Sequence, residues 1–374
     1  MTIKVGIAGR RGLNYWLGFQ SDPRFRVEAF CELDEAVLQE DAAKFGIPRS
    51  YRIYEDMLQS DLDAIVVATP MQLHVSQTIA ALDAGKHVLC EVTAGVAMDE
   101  LWWLQESVER SGKVYMMSEN ACYFPENQII AGMVRDGLFG EAYFGEGEYL
   151  HDIRHLGRLP GGKPSWRSYW QLGKRGAFYP THSLGPLMKW FEGDAVRSVS
   201  TFGSGWHAAP EYRQEDTTLT VCRLESGKLI KLRIDCLSPR PKNAYYSLQG
   251  TKGCYEAPRG LGDTHKIWLE GMDASAEQAN WRPLSDYMHY LPERYRLATE
   301  EQKSAGHWGS DFFIVHDFIQ AITAGTKPEI DVYDACEWTA VALLSELSAM
   351  NGGKEMTMPK FRKGMPRAEQ IIRI

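Results

Sequence analysis

Ile3-Lys4-Val5-Gly6-Ile7-Ala8-Gly9-Arg10-Arg11-Gly12 opens the chain almost from its first residue, and its reading decides the fold. Ile3–Ala8 reads as a buried strand, and the glycines that follow at once mark a tight turn. Leu13–Gln20 fits a crossover helix, closed by the breaker stretch Ser21-Asp22-Pro23. A second apolar segment, residues 26–31, ends in Glu32. Strand, glycine turn, helix, strand and acidic residue is the order of a dinucleotide-binding unit. Glycine lets backbone approach a pyrophosphate, helical N–H groups face it, and a carboxylate ending the second strand accepts ribose hydroxyls. The turn is shorter than Gly-x-Gly-x-x-Gly and carries Arg10 and Arg11 where small residues usually sit. Those residues alone read equally well as a structural turn. Glu32, 23 positions after Gly9, tips the balance towards a nucleotide. Its charge would repel a 2′-phosphate, so NAD is favoured over NADP; the two arginines pull the other way and are read as pyrophosphate partners.

The same rhythm continues outward. Helices over 35–45, 54–59, 75–84 and 99–111 alternate with strands over 64–68, 87–90 and 113–117, which predicts a parallel, doubly wound sheet. Ligands of such sheets lie at the carboxyl ends of the strands, here Thr69–His74, Glu91–Ala94 and Ser118–Tyr123. From Gly140 the periodicity changes. Residues 142–150 alternate, hairpins are predicted over 217–236 and 245–255, and helices return over 310–324 and 333–350. The expected organisation is α/β: a Rossmann domain over 1–122, then an α+β domain over 123–374 with a large open antiparallel sheet. Its C-terminal helices have the option of packing back on the first domain.

Composition excludes several classes. The chain has 374 residues, 44% hydrophobic and 24% charged, as in an ordinary globular protein. A net charge of −8 argues against a nucleic-acid partner. The apolar run Ala64–Ala68 is far short of the ~20 residues of a membrane helix. With no leader pattern before the first strand, a cytoplasmic protein is expected. Seven scattered cysteines without a Cys-x-x-Cys pair fit reduced thiols.

Between the two patterns lies a stretch dense in His, Tyr, Arg and Trp: His151-Asp152-Ile153-Arg154-His155, Trp166-Arg167-Ser168-Tyr169-Trp170, and Tyr179-Pro180-Thr181-His182-Ser183-Leu184-Gly185-Pro186. Read as a loop, it predicts a ligand, since aromatic faces suit sugar C–H surfaces and cations suit anions. Domain-interface packing is the alternative for each aromatic. His151 and His155 lack a third ligand at metal-binding spacing, so no metal is expected.

Two segments, Ala68-Thr69-Pro70 with His74 and Ala84-Gly85-Lys86-His87-Val88-Leu89-Cys90-Glu91, resemble the Gfo/Idh/MocA family of NAD(P)-dependent sugar oxidoreductases. Most members continue with Glu-Lys-Pro, whose lysine assists hydride transfer; this chain reads Glu91-Val92-Thr93. Within that family it is similar to glycoside hydrolase family 109, the NAD-dependent N-acetylgalactosaminidase-type branch. The matching pieces include Glu91-Val92-x-Ala94, Glu119-Asn120-x-x-Tyr123, His151-Asp152-x-Arg154, Tyr179-Pro180-Thr181-His182, Gly250-Thr251-Lys252-Gly253 and Gly306-His307-x-Gly309-x-Asp311, in order along nearly the whole chain. Departures are Ser183 in place of Gly, Lys242 near the position of a substrate tyrosine, and the absent leader.

The resemblance implies NAD as cofactor, with contacts from Gly9, Arg10, Arg11, Gly12 and Glu32 in the first unit. It adds Thr69, Met71, His74, Glu91, Val92 and Asn120 at the strand ends, then Arg167, Thr181 and His182. A sugar glycoside would meet Tyr123, Tyr149, Arg154, Tyr179 and Lys242. The implied activity is hydrolysis of a hexoside by transient oxidation at C3, elimination, water addition and re-reduction, with His182, Tyr179 and Tyr149 as catalytic candidates. A net NAD-dependent sugar dehydrogenase is the alternative, and a non-catalytic sugar sensor a third. Arg154, Arg158, Lys163, Arg167, Lys174, Arg175 and Lys242 make this region basic, which suggests an anionic sugar, a sulfoquinovoside or uronide, beside N-acetylgalactosaminide. A homo-oligomer, dimer or tetramer, is expected through the open sheet.

Overall fold

The computed structural model describes residues 2–365 and 367. Two compact units emerge among the described residues: 2–120 with 299–339 and 360–365, and 121–298 with 340–359.

The first unit holds six parallel strands, β1 (Ile3–Ala8), β2 (Phe25–Cys31), β3 (Arg49–Tyr51), β4 (Ala64–Val67), β5 (His87–Cys90) and β6 (Tyr115–Met117), in the order β3-β2-β1-β4-β5-β6. β4 is apolar and buried at all four positions, as a strand covered on both faces must be. The crossover after β1 departs from the single helix expected. A 3₁₀ turn over Arg10–Tyr15 precedes a short helix over Trp16–Gln20. That helix presses on the Ser310–Ala324 helix: a Cβ added at Gly18 would stand 2.6 Å from Val315 Cβ. Residues 299–339 therefore supply part of the first unit's own covering layer.

The second unit is built on nine strands: β7 (Ala142–Leu150), β8 (Val196–Gly203), β9 (Thr218–Leu224), β10 (Leu229–Asp235), β11 (Asn243–Gly250), β12 (Gly253–Glu256), β13 (Lys266–Leu269), β14 (Arg282–Pro283) and β15 (Met356–Thr357). Their order is β14-β13-β12-β11-β7-β10-β9-β8-β15. The sheet is mixed. β7 pairs parallel with β10, because β7 enters from one helix and leaves into another, whereas the other pairs are antiparallel.

Tyr179–Pro186 had the composition of a loop, with two prolines and a glycine. The structure instead runs a helix from Thr181 to Trp190 with Pro186 inside it. Pro186 has no N–H to offer the carbonyl of His182, four residues back, and its ring would ordinarily break the helix. Here Tyr246 Oη donates to that carbonyl at 2.5 Å. Helical apolar residues Leu184, Leu187 and Trp190 then bury against the sheet, whose Gly145 and Gly147 leave room. A Cβ at Gly147 would stand 2.2 Å from Ser183 O. That close seating puts His182 in the first turn of a helix, beside the end of β7.

Candidate active site

In the first unit the glycine turn is tight. Gly9 has φ +89°, and a Cβ there would meet Ala68 O at 2.4 Å, while one at Gly12 would meet Ile7 Cγ2 at 2.6 Å. Only glycine serves at such a φ with so little space. Glu32, at the end of β2, is tied to this turn: its carboxylate accepts from Arg10 N at 3.2 Å and Leu33 N at 2.8 Å. Arg10 itself pairs with Asp41, 2.8 Å away.

Arg11 and Glu91 are turned inward. The Arg11 guanidinium lies 2.8 Å from Glu91 and within 3.1–3.2 Å of both Asp311 oxygens, and Glu91 also accepts from Tyr15 Oη at 2.5 Å. The other Glu91 oxygen accepts from Val92 N at 3.3 Å. His307 Nδ1 stands 3.0 Å from Asp311 and 3.2 Å from Arg11. Burial opposes the charge on Arg11, but Glu91, Tyr15 and Asp311 outweigh it and raise the guanidinium's pKa. Asp311 is fully enclosed, which raises its carboxyl, yet His307 and Arg11 hold it below the usual range. Tyr15, His307 and Asp311 were absent from the cofactor set. The available signal was an arginine in a glycine turn, which needs a carboxylate if the turn is buried.

At the other strand ends, Met71, His74 and Val92 are buried, and Asn120 nearly so. Thr69 Oγ1 hydrogen-bonds Gln77 at 2.5 Å. His74 spends both ring nitrogens on backbone carbonyls, so its side chain acts on these turns and not outward.

In the second unit Tyr149, Tyr179 and His182 come together. The His182 ring lies 4.9 Å from each tyrosine ring, and the tyrosine rings are 6.1 Å apart. Tyr149 leaves the end of β7 and packs on a small core containing Ile153, Leu172, Ile234 and Cys236. Tyr179 has φ +89°, a conformation costly for a bulky side chain, of order 1–3 kcal/mol, and typical of residues held for function. Thr181 is fully buried and its hydroxyl lacks a hydrogen-bond partner among the described residues. In the first unit, the glycine turn and Glu32 fit a dinucleotide.

One residue was missed. His151 Nδ1 lies 2.8 Å from Tyr149 Oη. Burial first, then Lys242, His155 and His182, drive its pKa down to about 4, so the ring is neutral near pH 7 and serves as donor or acceptor to the phenol according to its tautomer. Tyr149-x-His151 places both side chains on one face of a strand end, which was legible. Arg154, Arg167, Arg175 and Tyr123 are engaged elsewhere. Arg154 is locked to Asp152, with contacts of 2.7 and 2.9 Å. Arg167 donates to Gln171 at 2.5 Å and lies over Trp166. Arg175 grips the buried Glu215. Tyr123 is fully enclosed, its carbonyl accepting from Tyr295. Lys242 is exposed at the start of β11.

Comparison with known proteins places these features. Residues 3–119 match the model of the oxidoreductase family with an NAD-binding Rossmann fold. The structure superposes on levoglucosan dehydrogenase in complex with NADH at a TM-score of 0.80 and 20% identity, covering 96% of this chain and all of that one. An oxidoreductase domain protein from Kribbella flavida gives the same TM-score at 21% identity, again over 96% of this chain and all of that one. The fold is therefore that of an NAD-binding oxidoreductase. Residues 123–208 and 199–367 match the glycosyl hydrolase 109 C-terminal domain. Glycosyl hydrolase family 109 proteins from Streptomyces filamentosus and Solibacter usitatus are 31% and 30% identical. The alignments cover 97% and 99% of this chain, and 78% and 91% of those proteins. The chain belongs to glycosyl hydrolase family 109.

Proposed function

We propose that the protein is an NAD-dependent glycosidase acting on a hexoside through a transient ketone at C3. The observation that carries this reading is the Tyr149–Tyr179–His182 cluster, with its neutral His151, in a chain that has Val92 where a hydride-transfer lysine is usual. Gly9, Gly12 and Glu32 would hold NAD. When bound, NAD supplies a reversible two-electron oxidation of C3 that is undone before product leaves, so the net reaction is hydrolysis.

His182 moves the proton of the C3 hydroxyl, since a ring nitrogen can take a proton and return it. A ketone at C3 acidifies the C2–H bond. Tyr149 or Tyr179, ionised to a phenolate, takes that proton, the aglycone departs from C1 with its bonding pair, and water then adds its hydroxyl to C1 while C2 regains a proton. The neutral His151 ring, 2.8 Å from Tyr149 Oη, holds that phenol oxygen in place beside the ring cluster. This route needs no pair of carboxylates flanking the glycosidic bond. The basic residues of this stretch, Arg158, Lys163 and Lys242 among them, favour an anionic substituent on the sugar, a sulfonate or carboxylate. A panel of nitrophenyl glycosides separates that from a neutral N-acetylgalactosaminide.

The test runs the reaction in deuterium oxide. Expected are deuterium at C2 of the released sugar and no accumulation of NADH. Unlabelled sugar with one NADH per product would replace this reading with a net sugar dehydrogenase.

A further inference from the structure

His74 opens the His74–Asp83 helix, directly behind the turn that follows β4, and its imidazole is buried. Nδ1 lies 2.7 Å from the carbonyl oxygen of Thr93 and Nε2 lies 2.9 Å from that of Thr69. Carbonyl oxygens only accept, and a neutral imidazole carries one N–H. A neutral ring would therefore set a nitrogen lone pair against a carbonyl lone pair at hydrogen-bond distance, in a site closed to water. The unmade bond would carry the full penalty of a buried unsatisfied group. An imidazolium donates at both nitrogens and removes the conflict.

We propose that His74 is held as an imidazolium and is a positioning residue for the cofactor site. By donating to Thr69 and Thr93 at once, it ties the turn after β4 to the turn after β5. Those two turns carry Met71, Glu91 and Val92. Each is also anchored locally, Thr69 by Gln77 and the second turn by Ala94 N donating to Thr339 Oγ1 at 3.1 Å. Only His74 spans the two among these bonds. Charge-assisted donation to both is worth more than two neutral bonds.

The electrostatics agree. Burial alone would lower the imidazole's pKa, but the Cys90 sulfur and the two carbonyls outweigh it and raise the value from 6.5 to about 9. The titratable group facing the ring is the Cys90 thiol of β5. The Tyr54 and Tyr115 phenols that act on that thiol are buried and kept neutral, well above their ordinary value. Since the folded-state value lies above the unfolded one, the clamp's contribution to stability is full below about pH 6.5 and is lost as pH rises through about 9.

Nitrogen-15 NMR of the full chain tests this, with His74→Gln, and His74→Asn as a second variant, assigning the resonance. Expected at neutral pH are two protonated His74 nitrogens that titrate together near pH 9. NAD should bind roughly tenfold more weakly to His74→Gln, the equivalent of one lost charge-assisted bond. Wild-type NAD affinity should fall as pH passes about 9, whereas the variant's stays level. One unprotonated ring nitrogen in the wild type at neutral pH overturns the proposal, whether or not the variants fold. So does a folded variant, by circular dichroism, that binds NAD like the wild type. Both readouts are independent of the reaction that follows NAD binding.

Discussion

At the carboxyl ends of β1, β4 and β5 the charged side chains expected to meet a cofactor are turned on one another. Arg11 is held by Glu91 and Asp311, and His74 by two carbonyls. At the end of β7 the arrangement is reversed. Tyr149, Tyr179 and His182 meet ring to ring, one of them on a strained backbone, next to a buried hydroxyl without a partner. One region uses its side chains to fix the shape of a backbone cradle. The other uses backbone, a helix that runs through Pro186 because Tyr246 donates to the orphaned His182 carbonyl, to aim side chains. Binding a conserved ligand shape needs the first; moving protons needs the second.

The sharpest way to break this contrast is His182→Ala. If the second region moves protons, kcat should fall by roughly 10²–10⁴, the usual worth of a general acid or base. Calorimetry should find NAD still bound with near wild-type affinity. Loss of NAD binding together with activity would make His182 a cofactor anchor and erase the difference between the regions.

Gly9→Ala addresses the first region. Its Cβ would press on Ala68 O at 2.4 Å in a backbone with φ +89°. A penalty of about 1–3 kcal/mol in unfolding free energy should follow, read by denaturant titration. NAD affinity should drop by about tenfold or more as the turn lifts away from β4. A variant with unchanged NAD affinity would mean that the cradle is not built by this turn.

How much was legible in the sequence follows the same division. β1, β5, β7 and the helices over 35–45 and 310–324 appear where hydrophobic period and breakers put them, because local pattern and tertiary burial agree there. The 181–190 helix was not legible: its prolines and glycine say loop, and only a tyrosine from β11 and two glycines of β7 reverse that. Arg11 could be located but not interpreted, since its partner Asp311 lies 300 residues away. Glu32 was read from its place at a strand end, which the fold alone determines. Tyr123 and Arg154 show the opposite limit. Residue type suggested a sugar contact, but burial and an adjacent aspartate decide what each side chain touches.

The smallest expected effect belongs to His151, and its sign is fixed by direction. Its imidazole sits near pKa 4 in the folded chain against 6.5 unfolded, because burial, Lys242, His155 and His182 all oppose its charge, with only Asp152 in favour. The unfolded chain therefore binds more protons here than the folded one between about pH 4 and 6.5, and stability rises with pH across that window. Because the ring is only partly enclosed, solvent screening keeps the gain modest. His151→Asn removes the titration, so melting temperature plotted against pH should climb less steeply there than in the wild type. Activity reports the other half of the role. Asparagine lacks the ring that packs edge-on against Tyr149, so the phenol is less firmly held, and kcat should fall while NAD affinity stays unchanged. Parallel melting curves for the two proteins would show that His151 does not carry the depressed titration. Unchanged kcat would remove it from the proton-handling side of the comparison.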